Sequence, residues 1–259
     1  MPERTEYPPG TPSWVDLQSS DTAKAKQFYG ELFGWTYDDQ PIPDTDAVYS
    51  MAQKNGKNVA AISGMPPGAE AMPPHWNTYV TVDNADASAG KVAGAGGTVV
   101  APPFDVMDAG RMAVIQDPTG AFINVWQAKN TIGAALVNEH GTLTWNELMS
   151  PDVEKAGKFY RAIFGWETKK ASDGPMEYWE FQLNGASVGG GMKPPMEGIP
   201  ANWGVYFAVD DCDATVAQAK QLGASVFAEP MDIPVGRFSA LADPTGAMFS
   251  VIKLAEPVS

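Results

Sequence analysis

Residues 14–35 read WVDLQSSDTAKAKQFYGELFGW, and residues 145–166 read WNELMSPDVEKAGKFYRAIFGW. The shared letters, Trp14 with Trp145, Leu17 with Leu148, Phe28-Tyr29 with Phe159-Tyr160 and Phe33-Gly34-Trp35 with Phe164-Gly165-Trp166, keep an offset of 131 residues. Farther along, Trp76, Tyr79, Val82 and Asp83 return as Trp203, Tyr206, Val209 and Asp210 at an offset of 127. Asp117-Pro118-Thr119-Gly120-Ala121 returns as Asp243-Pro244-Thr245-Gly246-Ala247 at 126. An offset that shrinks in small steps marks short deletions, which loops accommodate best. A period this long is a duplicated domain, since solenoid repeats run about 20 to 50 residues. The chain of 259 residues therefore holds two modules, each large enough to bury a core. The repeat sets the boundaries: a tail over 1–10, a first module over 11–128, a linker over 129–141 and a second module over 142–256.

Each module reads as the same order of elements. A short strand at 14–18 precedes Asp21 as a helix N-cap, and Ala25, Phe28, Tyr29, Leu32 and Phe33 follow at helical spacing until Gly34. In the copy, Ser150 is expected as N-cap, Pro151 at the first helical position and Asp152 in the first turn, with Gly165 as the stop. Three short strands follow near 35–40, 46–53 and 58–63, matched near 166–171, 176–183 and 186–192. The second half of the module repeats the theme: a strand at 76–82 (203–209), an Ala-rich helix at 85–94 (212–222), then strands near 98–107, 111–117 and 121–127 (225–233, 237–243 and 247–253). Four βαβββ units result. Helices confined to one face of a curved mixed sheet make an α+β fold and leave a concave cup free for a ligand.

Composition narrows the partners. A net charge of −14 with 17 Lys plus Arg offers no basic surface for phosphate backbones or anionic lipid, so neither nucleic acid nor membrane is expected as a partner. The N-terminus MPERTEYPPGTP lacks an apolar segment, and no stretch approaches the roughly 20 apolar residues of a membrane span; a cytoplasmic protein is the expectation. The one cysteine, Cys212, forms no internal disulfide and lies on the helical stripe Cys212, Val216, Ala219 and Leu222, where a small buried thiol is expected.

With FYxxxFGW after the first helix and DPTGA before the last strand of each module, the sequence resembles the vicinal oxygen chelate superfamily of glyoxalases, bleomycin-resistance proteins and extradiol dioxygenases. It is similar in particular to the tandem glyoxalase-like proteins of actinobacteria that often carry the label hydroxylase. The resemblance implies two modules paired within the chain, each a cupped sheet with helices on its outer face. In catalytic members a divalent metal sits in the cup, held by side chains of the first, fourth, fifth and eighth strands, usually His and Glu, and chelates adjacent substrate oxygens.

At those positions this chain carries Asp16, a stretch from Val59 to Ile62 without a ligand, Asn77 and Asn124 in the first module. The second offers Glu147, the stretch from Val188 to Gly191, Gly204 and Ser250. No metal cofactor is expected; if one binds at all, the set is Asp16, Asn77 and Asn124, which suits a hard cation such as Mg²⁺. The two histidines stand elsewhere: His75 is near the fifth strand or in the loop before it, and His140 is in the linker.

Strand parity fills out the cups. Trp14 shares a face with Asp16, Tyr79 with Asn77, and Trp126 with Asn124; Trp145, Glu147, Tyr206 and Ser250 form the matching set. Such an aromatic, weakly polar lining suits a flat apolar or aromatic ligand, with Asp16 or Glu147 meeting its cationic or hydroxyl group or acting as a general base. Alternatively the aromatics only fill the cup, and the carboxylates pair with Arg111 and Arg237, themselves at hairpin positions where solvation is usual. Three functions remain open: a metal-independent small-molecule binder, which is preferred; a glyoxalase- or dioxygenase-type lyase or oxidoreductase with an oxygen-rich site; and a scaffold with degenerate cups. The Met-Pro segments 64–74 and 192–200 read as linkers or adaptable flaps, and Gly189-Gly190-Gly191 as close packing.

Overall fold

Alternation of side chains places successive residues of each strand on opposite faces of its sheet. In the computed structural model, which describes residues 3–172 and 177–256, the strands of the first module are β1 (Pro12–Ser19), β2 (Thr36–Pro41), β3 (Val48–Lys54), β4 (Lys57–Gly64), β5 (His75–Thr81), β6 (Thr98–Val106), β7 (Gly110–Gln116) and β8 (Phe122–Ala128), paired in the order β2-β3-β4-β1-β5-β8-β7-β6. The second module repeats the order with β9 (Thr142–Met149), β10 (Glu167–Ser172), β11 (Tyr178–Leu183), β12 (Ala186–Met192), β13 (Asn202–Ala208), β14 (Ser225–Ile233), β15 (Gly236–Ala242) and β16 (Met248–Leu254). Both sheets are mixed: β1 runs parallel to β4 and antiparallel to β5, and β5 runs parallel to β8. Residue 176, the first expected of the strand near 176–183, and residues 1 and 2 of the tail lie outside the described residues.

The helices are α1 (Thr22–Phe33), α2 (Ala85–Val92, continued by a 3-10 turn at Ala93–Ala95), α3 (Val153–Phe164) and α4 (Cys212–Gln221). The start of α3 corrects the expectation. Asp152, not Ser150, is its N-cap, accepting from Lys155 N at 2.9 Å, while Ser150 Oγ accepts from Asp152 N at 3.1 Å. A carboxylate is the stronger acceptor at the positive helix end, and the first module uses the same arrangement of Ser19 and Asp21. Among the described residues no helix is long and apolar enough to cross a membrane.

The two sheets stack through their helix-bearing faces, and neither module keeps its core to itself. One cluster joins Val15, Leu17, Phe28, Tyr29 and Trp35 of the first module to Phe207, Cys212, Val216 and Phe249 of the second. The other joins Val80, Ile115 and Ile123 to Phe159, Tyr160, Trp166 and Trp203. Polar bonds cross between modules at matched places. Tyr29 Oη donates to Asp243 Oδ2 at 3.1 Å, and Tyr160 Oη donates to Asp117 Oδ2 at 2.7 Å. Trp35 Nε1 reaches Gly141 O at 2.7 Å and Trp166 Nε1 reaches Gly10 O at 2.6 Å. Gly10 and Gly141 have φ of +87° and +71°, the left-handed region in which a side chain is strained. The cups lie on the opposite faces of the sheets.

Candidate functional site

Parity fixes which side chains enter the first cup. Val15 and Leu17 join the helix-side core, so Trp14 and Asp16 point the other way, and Trp14 packs with Met51, Ala61, Tyr79 and Trp126. Directly across β5 from Asp16 stands Asn77, with Tyr79 across from Trp14. Asp16 is 3% exposed and accepts three hydrogen bonds: from Tyr79 Oη at 2.7 Å, Tyr49 Oη at 3.0 Å and Asn77 Nδ2 at 2.9 Å. Trp14 Nε1 in turn donates to Tyr49 Oη at 3.0 Å.

The second cup rebuilds this network with the longer acid. Glu147 is 6% exposed; Tyr206 Oη donates to its Oε1 at 2.7 Å, and Tyr178 also hydrogen-bonds it. Trp145 Nε1 donates to Tyr178 Oη at 3.1 Å. A Cβ on Gly190 would collide with the Tyr178 hydroxyl, so this glycine is what lets the tyrosine lie flat enough to reach Glu147.

Among the described residues no Lys or Arg pairs with either acid, and His75 adds the smallest of the effects that lower the Asp16 pKa. Burial pushes the Asp16 carboxyl up, opposed by its hydrogen bonds from Tyr79, Asn77 and Tyr49, and burial likewise raises Glu147 against bonds from Tyr206 and Tyr178. Burial and the adjacent carboxylate hold Tyr49, Tyr79 and Tyr206 well above the usual phenol range, so the hydroxyls remain donors. Arg111 and Arg237 pair with neither acid. They form forked ion pairs with Asp86 and Asp213, just after the N-caps of α2 and α4, at the surface.

The remaining sequence-predicted positions divide. Asn124 is 4% exposed on β8, flanked on its face by Phe122 and Trp126, and it does not touch Asp16 through a hydrogen bond. Ser250 stands across from Tyr206 on the neighbouring strand. His75 opens β5, two residues before Asn77, with its Nδ1 2.9 Å from Pro73 O; His140 Nδ1 accepts from Asp210 N at 3.2 Å. Met72 and Met196 of the Met-Pro segments are exposed. Tyr49 and Tyr178 are site residues that the motif comparison missed. Their offset of 129 lies between the 131 upstream and the 127 downstream, and that was the available signal. Linker residues Ala134 and Val137 also pack against the floor of the first cup.

The donor set does not fit a resident divalent cation. Asp16 already accepts three O–H and N–H donors, Asn77 turns its amide nitrogen toward the acid, and the protonated phenols present hydrogens. Among the described residues no three His, Cys, Asp or Glu side chains converge as a metal-holding group.

Comparison with known proteins adds the ancestry. Residues 11–125 match the family model described as Glyoxalase/Bleomycin resistance protein/Dioxygenase superfamily, and residues 144–252 match one described as Glyoxalase-like domain. The chain is 55% identical over 256 residues, covering 98% of both chains, to CFP32 of Mycobacterium tuberculosis, provisionally named a glyoxylase. It is 37% identical over 265 residues to the anthracycline biosynthesis protein DnrV of Streptomyces peucetius, covering 97% of this chain and 96% of that one. Among solved structures, the Mn(II)-bound glyoxalase from Novosphingobium aromaticivorans aligns at a TM-score of 0.68 and 17% identity, covering 97% of this chain and 84% of that one. The 2,3-dioxygenase LapB from Pseudomonas sp. KL28 aligns at 0.66 and 15%, covering 96% and 93%. At those identities the structural likeness concerns the fold.

Proposed function

The chain belongs to the Glyoxalase/Bleomycin resistance protein/Dioxygenase superfamily, and on that premise we propose that it is a metal-independent binder of flat aromatic small molecules. The observation that carries the reading is the Trp–Tyr–carboxylate–Tyr network, built twice where the superfamily's metal ligands would stand. A buried acid without a cation costs free energy unless hydrogen-bonded, and here each acid is spent on fixing two phenol rings. The rings, with Trp14, Trp126 and Trp145, supply a rigid apolar surface. Beyond it each cup opens onto exposed apolar side chains, Phe104 and Phe122 in one module and Met231 and Met248 in the other. Aromatic lining with few polar groups favours a planar aromatic ligand. The relative named for anthracycline biosynthesis is in keeping with that class.

The test combines metal analysis with a thermal-shift screen of untagged protein against planar aromatic compounds. The reading expects a stabilising compound whose effect survives EDTA and is lost in Tyr79→Ala or Trp14→Ala. Stoichiometric Mg²⁺, Mn²⁺, Ni²⁺ or Fe²⁺ that disappears in Asp16→Asn overturns it, as does the absence of any shift across the screen.

A further inference from the structure

The two cups differ at matched polar positions, Asp16 against Glu147, Asn77 against Gly204 and Asn124 against Ser250, and the last pair bears on a ligand. Asn124 is buried on β8, yet its carboxamide makes no hydrogen bond to any described residue. The hydroxyls of Ser13, Tyr37 and Thr81 are sealed and unpartnered; the Asn124 amide is not among these sealed atoms. Its place on the sheet says where it faces. Ile123 and Val125 enter the helix-side core, so Phe122, Asn124 and Trp126 look into the cup, with Tyr79 across on β5 and Val114 across on β7. Phe122 is 46% exposed, and Phe104, opposite Met112 on the same face, is 45% exposed.

In the second module the corresponding position is Ser250, a single hydroxyl across from Tyr206 on β13. Its neighbours on that face are Met248, Ala240 and Ile252, an aliphatic surface where the first module has Phe122, Val114 and Trp126. A carboxamide that faces the cup without a protein partner is free to bond a ligand that enters the cup. A carboxamide both donates and accepts, so it meets a ring carbonyl or a phenolic hydroxyl equally.

We infer that Asn124 is the polar anchor of a ligand site present in the first module alone, which takes one planar aromatic molecule per chain with an oxygen on its ring edge. The ring lies along Phe122, and the edge oxygen meets the Asn124 amide. This rests on the binding reading above and adds to it an orientation, a stoichiometry and a determinant of selectivity. Asp16 holds Tyr79 beside the anchor and does not itself meet the ligand.

The probes are 2-naphthol and 2-methylnaphthalene, which share a shape and differ in the edge group, titrated by tryptophan fluorescence and calorimetry. The wild-type chain binds 2-naphthol at one site. In Asn124→Leu the ratio of naphthol to methylnaphthalene affinity falls about ten-fold, the worth of one buried hydrogen bond, while methylnaphthalene binding holds. Asn124→Thr, which suits a strand and keeps a hydroxyl, retains part of the ratio, and Ser250→Leu leaves it unchanged. An unchanged ratio in Asn124→Leu, or two equal sites per chain, overturns the anchor and leaves the binder standing. Failure of both probes to bind wild-type protein sinks both readings.

Discussion

Tyr160→Phe tests whether the two modules are one cooperative body. The substitution removes a single oxygen with three consequences. Asp117 Oδ2 loses a 2.7 Å donor, Trp203 Nε1 loses its 2.8 Å acceptor, and the polar link between α3 of the second module and the DPTGA turn of the first disappears. All three groups are buried, Tyr160 at 0%, Asp117 at 3% and Trp203 at 5% exposure, so water cannot readily replace the lost partner. Asp117 Oδ1 is already occupied by Thr119, Gly120 and Ala121, so the carboxylate cannot turn to compensate. A hydrogen bond to a charged group is worth about 1.5 to 3 kcal/mol and an orphaned buried donor costs about 1 to 3, which together put the loss at roughly 3 to 5 kcal/mol. For a chain of this size that is a fall in Tm of roughly 10 °C. The assay is urea unfolding followed by far-ultraviolet circular dichroism and by tryptophan fluorescence. Because the bond joins the modules through a shared core, both probes should report one transition, shifted to lower urea. Tyr29→Phe, whose bonds to Asp243 and from Trp76 are both 3.1 Å, should cost less. A loss below about 1 kcal/mol in Tyr160→Phe, or two transitions in which one module melts first, would refute the reasoning.

Further predictions concern the acids, the glycine and the dependence of each module on the other. Asp16 is raised above its ordinary value of 3.8, so the folded state binds its proton more tightly than the unfolded chain does. Its contribution is therefore fully present below that value and lost as pH climbs from there through the folded pKa; wild-type stability relative to Asp16→Asn should decline over that rise in paired denaturation series, and a gain with pH contradicts the assignment. Gly190→Ala should displace Tyr178 from Glu147 and cost about 1 to 3 kcal/mol by chemical denaturation. Gly90→Ala, in α2 with open space around the added methyl, should stabilise by about 0.5 to 1 kcal/mol. Residues 1–128 expressed alone would expose Val80, Ile115 and Ile123 where Phe159 and Trp166 now cover them, and should show no cooperative melt in calorimetry.

The sequence by itself determined the duplication, the four βαβββ units and the face on which each cup residue lies. These are local matters: a period near two puts Trp14 with Asp16 and Val15 with Leu17, and a period near 3.6 puts Phe28, Tyr29 and Leu32 on one helix stripe. It also told the two modules apart, since Asn124 and Ser250 stand at matched positions. Partners were another matter. Which tyrosines hold Asp16 depends on how β3 folds back beside β4, and nothing local in Tyr49 announces that its hydroxyl ends 3.0 Å from an acid 33 residues earlier. The caps of α1 and α3 read alike once the offset is applied, but Pro151 suggested a different start. Only the tertiary structure decided that Tyr29 bonds Asp243 across 214 residues while Tyr160 bonds Asp117 across 43, because that follows from stacking two sheets through shared helices. It likewise decided that the Asn124 amide makes no hydrogen bond to any described residue. Parity tells a side chain which face to take, and only the packed neighbours on that face determine whether its hydrogen bonds are already made.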